Sequence, residues 1–342
     1  MSGTANMKQH DRDCGVFTVS LDFELYWGLR DHVSLDGYRR NLLGARTAIQ
    51  RLLNLFREYE IHATWAVVGF LLFDGREELL DTLPNRLPRY KNETLSPYPH
   101  VGNVGTSEAE DPLHFAPSLV RAIAATPHQE IGTHTFSHYY CLEEGQDVES
   151  FKADLQAAIV ASGRFGVRPR SLVFPRNQFS PEYLAACRSL GIEACRTNQG
   201  FWAYHAVPQR GNNLIRRALR FLDSYFSVAP HTVYSPKEIG SDFPRLIPAS
   251  HFLRPYSNRL RALEPLRFRR IAAELSEAAM TKKIYHLWWH PHNFGAHAEE
   301  NFAFLRRILE HYRELSDRHE MVSLNMGEIA ASVAEPAGGV LC

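Results

Sequence analysis

Two carboxylates two residues apart, Asp22 and Glu24, close the run Val16–Tyr26 (VFTVSLDFELY). Its alternating β-formers read as a buried strand. Period 2 turns both acids to one face, with Cα atoms about 6.5 Å apart, and two carboxylates aimed at one place repel unless a cation sits between them. Residues able to hold such a cation follow in His134-Thr-Phe-Ser-His138, just after a short strand, 130–132. On a helix the i, i+4 spacing brings both imidazoles to one face, where they reach a single metal at about 2.0–2.1 Å. His290 ends the apolar strand 284–289 and is followed by Pro291 and His292. Each group also has a plainer reading: solvent-facing strand-end acids, a coincidental pair in a chain with 17 histidines, or a capping histidine.

The elements that would position these groups alternate. After the first strand, Leu42, Ile49, Leu53 and Phe56 mark a long amphipathic helix over 36–59, and the next strand covers 62–72. Further strands are expected at 130–132, 171–174, 192–196, 284–289 and 321–324, with helices at 117–125, 148–165, 181–190, 269–280 and 298–315. The pattern predicts an α/β fold. About seven strands in a distorted (β/α) barrel fit better than an open sheet, because candidate polar residues follow several different strands. One catalytic domain over 16–330 is expected, with insertions at 73–127 and 198–265, a polar N-terminal tail (1–15) and a C-terminal tail (331–342).

Composition narrows the function. The 342 residues carry 38 Lys and Arg against 38 Asp and Glu, so no overall field favours a nucleic acid or an anionic membrane. No stretch approaches the roughly 20 apolar residues of a membrane span. Met1–Gly15 lacks the apolar core of a secretory signal. The five cysteines, Cys14, Cys141, Cys187, Cys195 and Cys342, have no Cys-x-x-Cys spacing, which points to a reducing compartment without a thiolate cluster. A cytoplasmic protein of unspecified oligomeric state is expected.

Taken together, the acidic pair after the first strand, the H-T-x-x-H after the third, Phe174-Pro175-Arg176-Asn177 at a later strand end and His290 after a late strand resemble the polysaccharide deacetylases, carbohydrate esterase family 4. The resemblance spans about 16–324 and marks a divergent member. The family's first motif has two adjacent aspartates, a general base and a metal ligand. Here Phe23 holds the second place and Glu24 comes one later. By alignment Asp22 is the base and Glu24 the ligand, with the reverse assignment open. The family's third motif places an arginine before a proline to orient the base. In this chain Arg176 follows the proline, and Arg254 in IPASHFLRP is a second candidate.

The resemblance implies a divalent metal, zinc first, with Co2+, Ni2+ or Mn2+ as alternatives, held by Glu24, His134 and His138. It implies Asp22 as base and His290 as the acid for the departing amine. Trp27, Trp202, Arg254 and His292 are substrate-contact candidates, and Tyr26 and Trp289 lie near the expected mouth. The expected reaction is hydrolysis of an N-acyl, foremost N-acetyl, amide on a sugar or a sugar-linked precursor of surface polysaccharide. Two alternatives stand beside it, a hydrolase of small cyclic amides or ureides and a non-catalytic carbohydrate-binding descendant.

Overall fold

The first strand, Val16–Phe23 (β1), is buried at every position, and its side chains divide by parity. Phe17, Val19, Leu21 and Phe23 join the main apolar core, leaving Thr18, Ser20 and Asp22 on the opposite face, inside the sheet's curve. Ser34 caps the helix Leu35–Glu58 (α1), which buries Leu42, Ile49, Leu52 and Phe56 against that core.

The computed structural model describes residues 14–230 and 232–334. After α1 come β2 (Ala63–Val67), α2 (Arg76–Asp81), α3 (Tyr98–Val101), α4 (Pro117–Ala124), β3 (Gln129–Thr133), α5 (Val148–Ser162) and β4 (Ser171–Val173). The middle of the chain adds α6 (Pro181–Ser189), β5 (Ala194–Thr197), α7 (Leu214–Asp223), β6 (Arg245–Pro248) and β7 (His251–Phe252). It ends with α8 (Glu264–Thr281), β8 (Ile284–Trp289), α9 (Ala298–His319), β9 (Val322–Ser323) and α10 (Met326–Ala334). The expected tails lie almost wholly outside the described residues, and 331–334 continue α10 instead of beginning a tail. No described helix is long and apolar enough to cross a membrane.

The sheet order is β6-β5-β4-β3-β2-β1-β8-β7, with β9 against β1, and every ladder between these strands is parallel. All C-terminal strand ends therefore share one rim. The fold is a distorted (β/α) barrel, with nine strands where the sequence suggests about seven. The two ends of the sheet, β6 and β7, are consecutive pieces of one stretch, so the chain itself carries the closure. Ala249 N–H donates to Thr197 O of β5 (2.9 Å) and Ser250 N–H to His286 O of β8 (2.8 Å). His286 N–H in turn donates to Ser250 Oγ (2.8 Å). Both strands, and α7, fall in 198–265, which reads as irregular from sequence. Strands of four and two residues are too short to display a period.

Ser250 is fully buried at this seam. Ser250→Ala strands the His286 N–H without a partner, and urea melts should show a loss of about 1–3 kcal/mol.

Candidate functional site

His134 and His138 lie on an irregular loop after β3, where the sequence suggests a helix. Thr135 (φ 64°) and His138 (φ 59°) adopt left-handed backbone, which would not occur within a regular helix. Buried Asp154 of α5 pins the turn, accepting from Phe136 N–H (2.7 Å), Ser137 N–H (3.2 Å) and the Ser137 hydroxyl. Thr135 Oγ1 accepts from Tyr139 N–H (2.7 Å). The loop thus turns both rings to one point without helical geometry.

Both rings present Nε2 to Glu24. Its Oε2 lies 3.5 Å from His134 Nε2 and 3.0 Å from His138 Nε2. All three residues are buried, and one ligand atom from each lies within 4.8 Å of the others. Second contacts fix the rings. His134 Nδ1–H donates to Val173 O (2.7 Å), and His138 Nδ1 meets the Tyr140 hydroxyl (3.2 Å), which reaches Asp31 Oδ1 (3.4 Å). With Nδ1 engaged, each Nε2 keeps a lone pair for a cation. The donor set of one carboxylate and two imidazoles, closed on one side and rigidly held, fits a divalent transition metal. Burial pushes His138 down to about 4 despite its Glu24 contact. Burial opposes charge on Glu24, but His290 and the two ring contacts outweigh it and hold the carboxyl well below its ordinary range.

Asp22, two residues earlier on the same face, meets a different cation. Arg196 of β5 grips it in bidentate fashion, Nη1 to Oδ1 and Nη2 to Oδ2 at 2.7 Å each. The same guanidinium donates to Ser20 Oγ (3.1 Å) and Asn177 Oδ1 (3.1 Å) and lies 4.1 Å above the Trp288 ring. The Ser20 hydroxyl lies 2.8 Å from His286 Nε2. Burial pushes His286 down to about 3, leaving a neutral acceptor. Burial also works against charge on Asp22, yet Arg196, His134 and His290 together hold its carboxyl below the usual value. Asp22 is therefore ionised at neutral pH.

His290, at the end of β8, completes the cluster. Its Nε2 is 3.7 Å from both Asp22 Oδ2 and Glu24 Oε1, and its side chain is 22% exposed where those carboxylates are 4% exposed. It is the group of this cluster that faces solvent. His292 sits behind Glu24, with Nδ1 4.0 Å from Oε1 and its ring edge-on to Tyr38. Burial pushes it down to about 3.

Several expected placements change. Arg176 does not reach Asp22: it pairs with Asp31 and stacks over Tyr140 at 4.0 Å. Its left-handed backbone (φ 54°) swings it behind His138. The guanidinium on Asp22 belongs to Arg196, and Arg254 is turned to the Phe221 ring (5.1 Å). Trp27 is buried, donating to His114 O (2.8 Å), and cannot meet a substrate. Trp289 is buried too, packed on Phe294 and Phe56. Parity explains it: His286, Trp288 and His290 share the inner face of β8. Buried His292 is no better placed for substrate, Tyr26 is half-buried with its hydroxyl on Val33 O (3.2 Å), and Trp202 is exposed on the loop after β5. Sequence reasoning missed Arg196, which ends the expected strand 192–196; the signal was an arginine on a strand that packs inside the barrel, where it requires a buried acid.

A parallel barrel that gathers acids and imidazoles on its C-terminal rim places them where barrel enzymes carry their active sites. Residues 36–195 match the polysaccharide deacetylase family model. That match covers just under half of the chain and is to the family that the sequence motifs resemble. A Mycobacterium smegmatis structure assigned as a polysaccharide deacetylase is similar at 16% identity and TM-score 0.56, covering 94% of this chain and 91% of that one. Puue allantoinase is similar at 14% identity and TM-score 0.53 (93% and 88% covered). The GH57-type branching enzyme of Pyrococcus horikoshii follows at 12% and 0.51 (96% and 72% covered). At such identities these likenesses speak for the fold alone. No curated protein matches the sequence.

Arg196→Met leaves Asp22 buried without its counter-charge and should cost about 3–5 kcal/mol in chemical denaturation, with Asp22→Asn in the same chain restoring part of the loss. Asp154 gives a pH signature. Burial pushes its carboxyl up from 3.8 to about 6, so the folded chain binds this proton more tightly than the unfolded chain. Stability contributed by that proton falls as pH rises from about 4 to about 6, by about 3 kcal/mol in all. Asp154→Asn should flatten that segment of the pH–stability curve.

Proposed function

We propose that this protein is a metal-dependent amide hydrolase that removes an N-acyl group, foremost acetyl, from an amino sugar or a sugar-linked precursor of surface polysaccharide. The observation that carries this reading is the buried Glu24, His134 and His138 group, adjoined by Arg196-held Asp22 on one side and exposed His290 on the other. Glu24 and the two Nε2 atoms are the proposed ligands. When bound, a divalent metal, zinc by preference for this donor set, supplies a water acidic enough to attack at neutral pH and a positive charge for the developing oxyanion.

The remaining chemistry belongs to the chain. Asp22 is ionised and held in one orientation by two hydrogen bonds, so it can take a proton from an attacking water on the side facing His290. Its depressed basicity makes orientation, not proton affinity, its main contribution. His290, protonated, hands a proton to the departing nitrogen, which an amide requires because a bare amide anion is too poor a leaving group. Ser20, Asn177 and Trp288 hold Arg196, and through it Asp22. Arg176, acting through Asp31 and Tyr140, positions His138.

One catalytic unit over 16–330 fits this reading. The scattered cysteines, without a Cys-x-x-Cys pair, favour a reducing, cytoplasmic compartment.

The test joins metal content to product. Purified protein should hold one equivalent of zinc, cobalt, nickel or manganese by elemental analysis. His134→Ala/His138→Ala should lose it, together with acetate release from an N-acetylated amino sugar. Ring opening of a ureide without acetate release would replace this reading with a cyclic-amide hydrolase. A protein that binds carbohydrate but no metal would make it a non-catalytic descendant.

A further inference from the structure

Helix α7 carries its apolar residues outward. Leu214 is 77% exposed, Ile215 64%, Leu222 43%, and Phe226 just beyond the helix 51%. At 100° per residue, Leu214, Ile215, Ala218, Leu222 and Phe226 fall within one stripe about 120° wide. A soluble helix normally turns such a stripe to the core. Here the opposite side makes the attachments: Asp223 is buried, accepts from the Tyr204 hydroxyl (2.8 Å) and pairs with Arg270 (2.9 Å), while Arg216 donates to Trp202 O (2.9 Å) and His205 O (3.1 Å).

The sequence of this segment is basic. Between Thr197 and Leu222 the chain has four arginines, Arg210, Arg216, Arg217 and Arg220, and no acid. Arg210 pairs with Glu144, and Arg216 and Arg220 lie on the attached side of the helix, so exposed Arg217, next to the Leu214 edge of the stripe, is the cation of this group best placed beside it. Position matters as well. The segment leading to α7 is fastened to the rim bearing the cluster: Asn198 Nδ2 donates to Asn177 O (3.2 Å), Gln178 Nε2 to Val207 O (3.2 Å) and Gln209 N–H to Glu143 Oε1 (2.8 Å). The helix thus borders the barrel end where His290 faces solvent.

We propose that α7 is an interfacial helix that docks this protein on an anionic lipid surface, its Leu214, Ile215, Leu222 and Phe226 entering the headgroup–acyl boundary and Arg217 beside them meeting lipid phosphate. A second copy of the chain is the poorer occupant. A ten-residue helix is about 15 Å long, too short by itself to bury the roughly 800 Å² per partner of a stable interface. Docking also turns the rim towards the membrane. Resting on the amide-hydrolase reading above, this orientation suits an acylated amino sugar carried on a lipid.

Vesicle co-sedimentation of the full chain without substrate tests the docking independently of the chemistry. Wild type should pellet with phosphatidylglycerol-containing vesicles, much less with pure phosphatidylcholine, and be partly released at about 1 M salt. Leu214→Ser/Ile215→Ser should weaken binding about tenfold or more, with an unchanged thermal melt because both residues are exposed. Activity on a soluble acylated amino sugar, measured separately, should be the same in both proteins. Three results overturn the proposal: no pelleting of wild type with the anionic vesicles, equal pelleting of the variant, or a wild-type dimer in solution that the double substitution splits into monomers.

Discussion

A guanidinium and a carboxylate buried side by side inside the barrel govern the site. Isolated, either charge would be prohibitively expensive at that depth, and together they persist only because further polar groups satisfy them. Ser20, Asn177 and the Trp288 face do so for Arg196. This explains why the inner faces of β1 and β8 read Thr18-x-Ser20-x-Asp22 and His286-x-Trp288-x-His290 and are not purely apolar. One arginine does not balance two ionised carboxylates. Glu24 has imidazoles around it instead, and against its burial the charge on His290, with the contacts of His134 and His138, holds its carboxyl well below the ordinary range.

Holding these groups has a conformational cost at the strand ends. Five non-glycine residues, Leu25, Thr135, His138, Arg176 and Asn177, have left-handed backbone just after β1, β3 and β4, each at about 1 kcal/mol or more. Asp154 pins the turn carrying His138, and Asp31 and Glu143 hold the Arg176 side chain over Tyr140. Rigid strands alone do not aim the side chains. The loops do, and buried acids hold the loops.

That division explains what could be read in advance. Periodicity locates the strands whose ends carry Asp22, Glu24, His134, His138 and His290, and two-residue parity places Asp22 on the inner face, whereas Glu24, beyond the last residue of β1, reaches the same site through its longer side chain. Parity also separates Trp288 from Trp289, although the sequence reading set Trp289 at the mouth. Long-range partners are another matter. Nothing local distinguishes Arg196 from Arg176 or Arg254 as the partner of Asp22, because the choice depends on which strand ends meet across the barrel and on the backbone twist at Arg176. A histidine pair four apart fits a helix and a pinned loop equally well. The segments β6, β7 and α7 escaped because their order comes from neighbours: β6 and β7 exist only as edges against β5 and β8.

The displaced acid has a geometric rationale. Where the family pairs two adjacent aspartates, this chain carries its second carboxylate one residue further on, past the end of β1 at a residue with φ −125° and ψ −20°. A longer side chain must then fold back towards the histidines, and it needs an open corridor. Gly28 provides one: a Cβ there would lie 2.2 Å from Glu24 Cδ, a collision with the carboxylate itself. The turn through Leu25 (φ 44°) and Trp27, locked under Phe70 and His114, fixes Gly28 beside that side chain. Buried Trp27 therefore serves the site without touching substrate, as the anchor of the turn that leaves Glu24 room to reach His134 and His138.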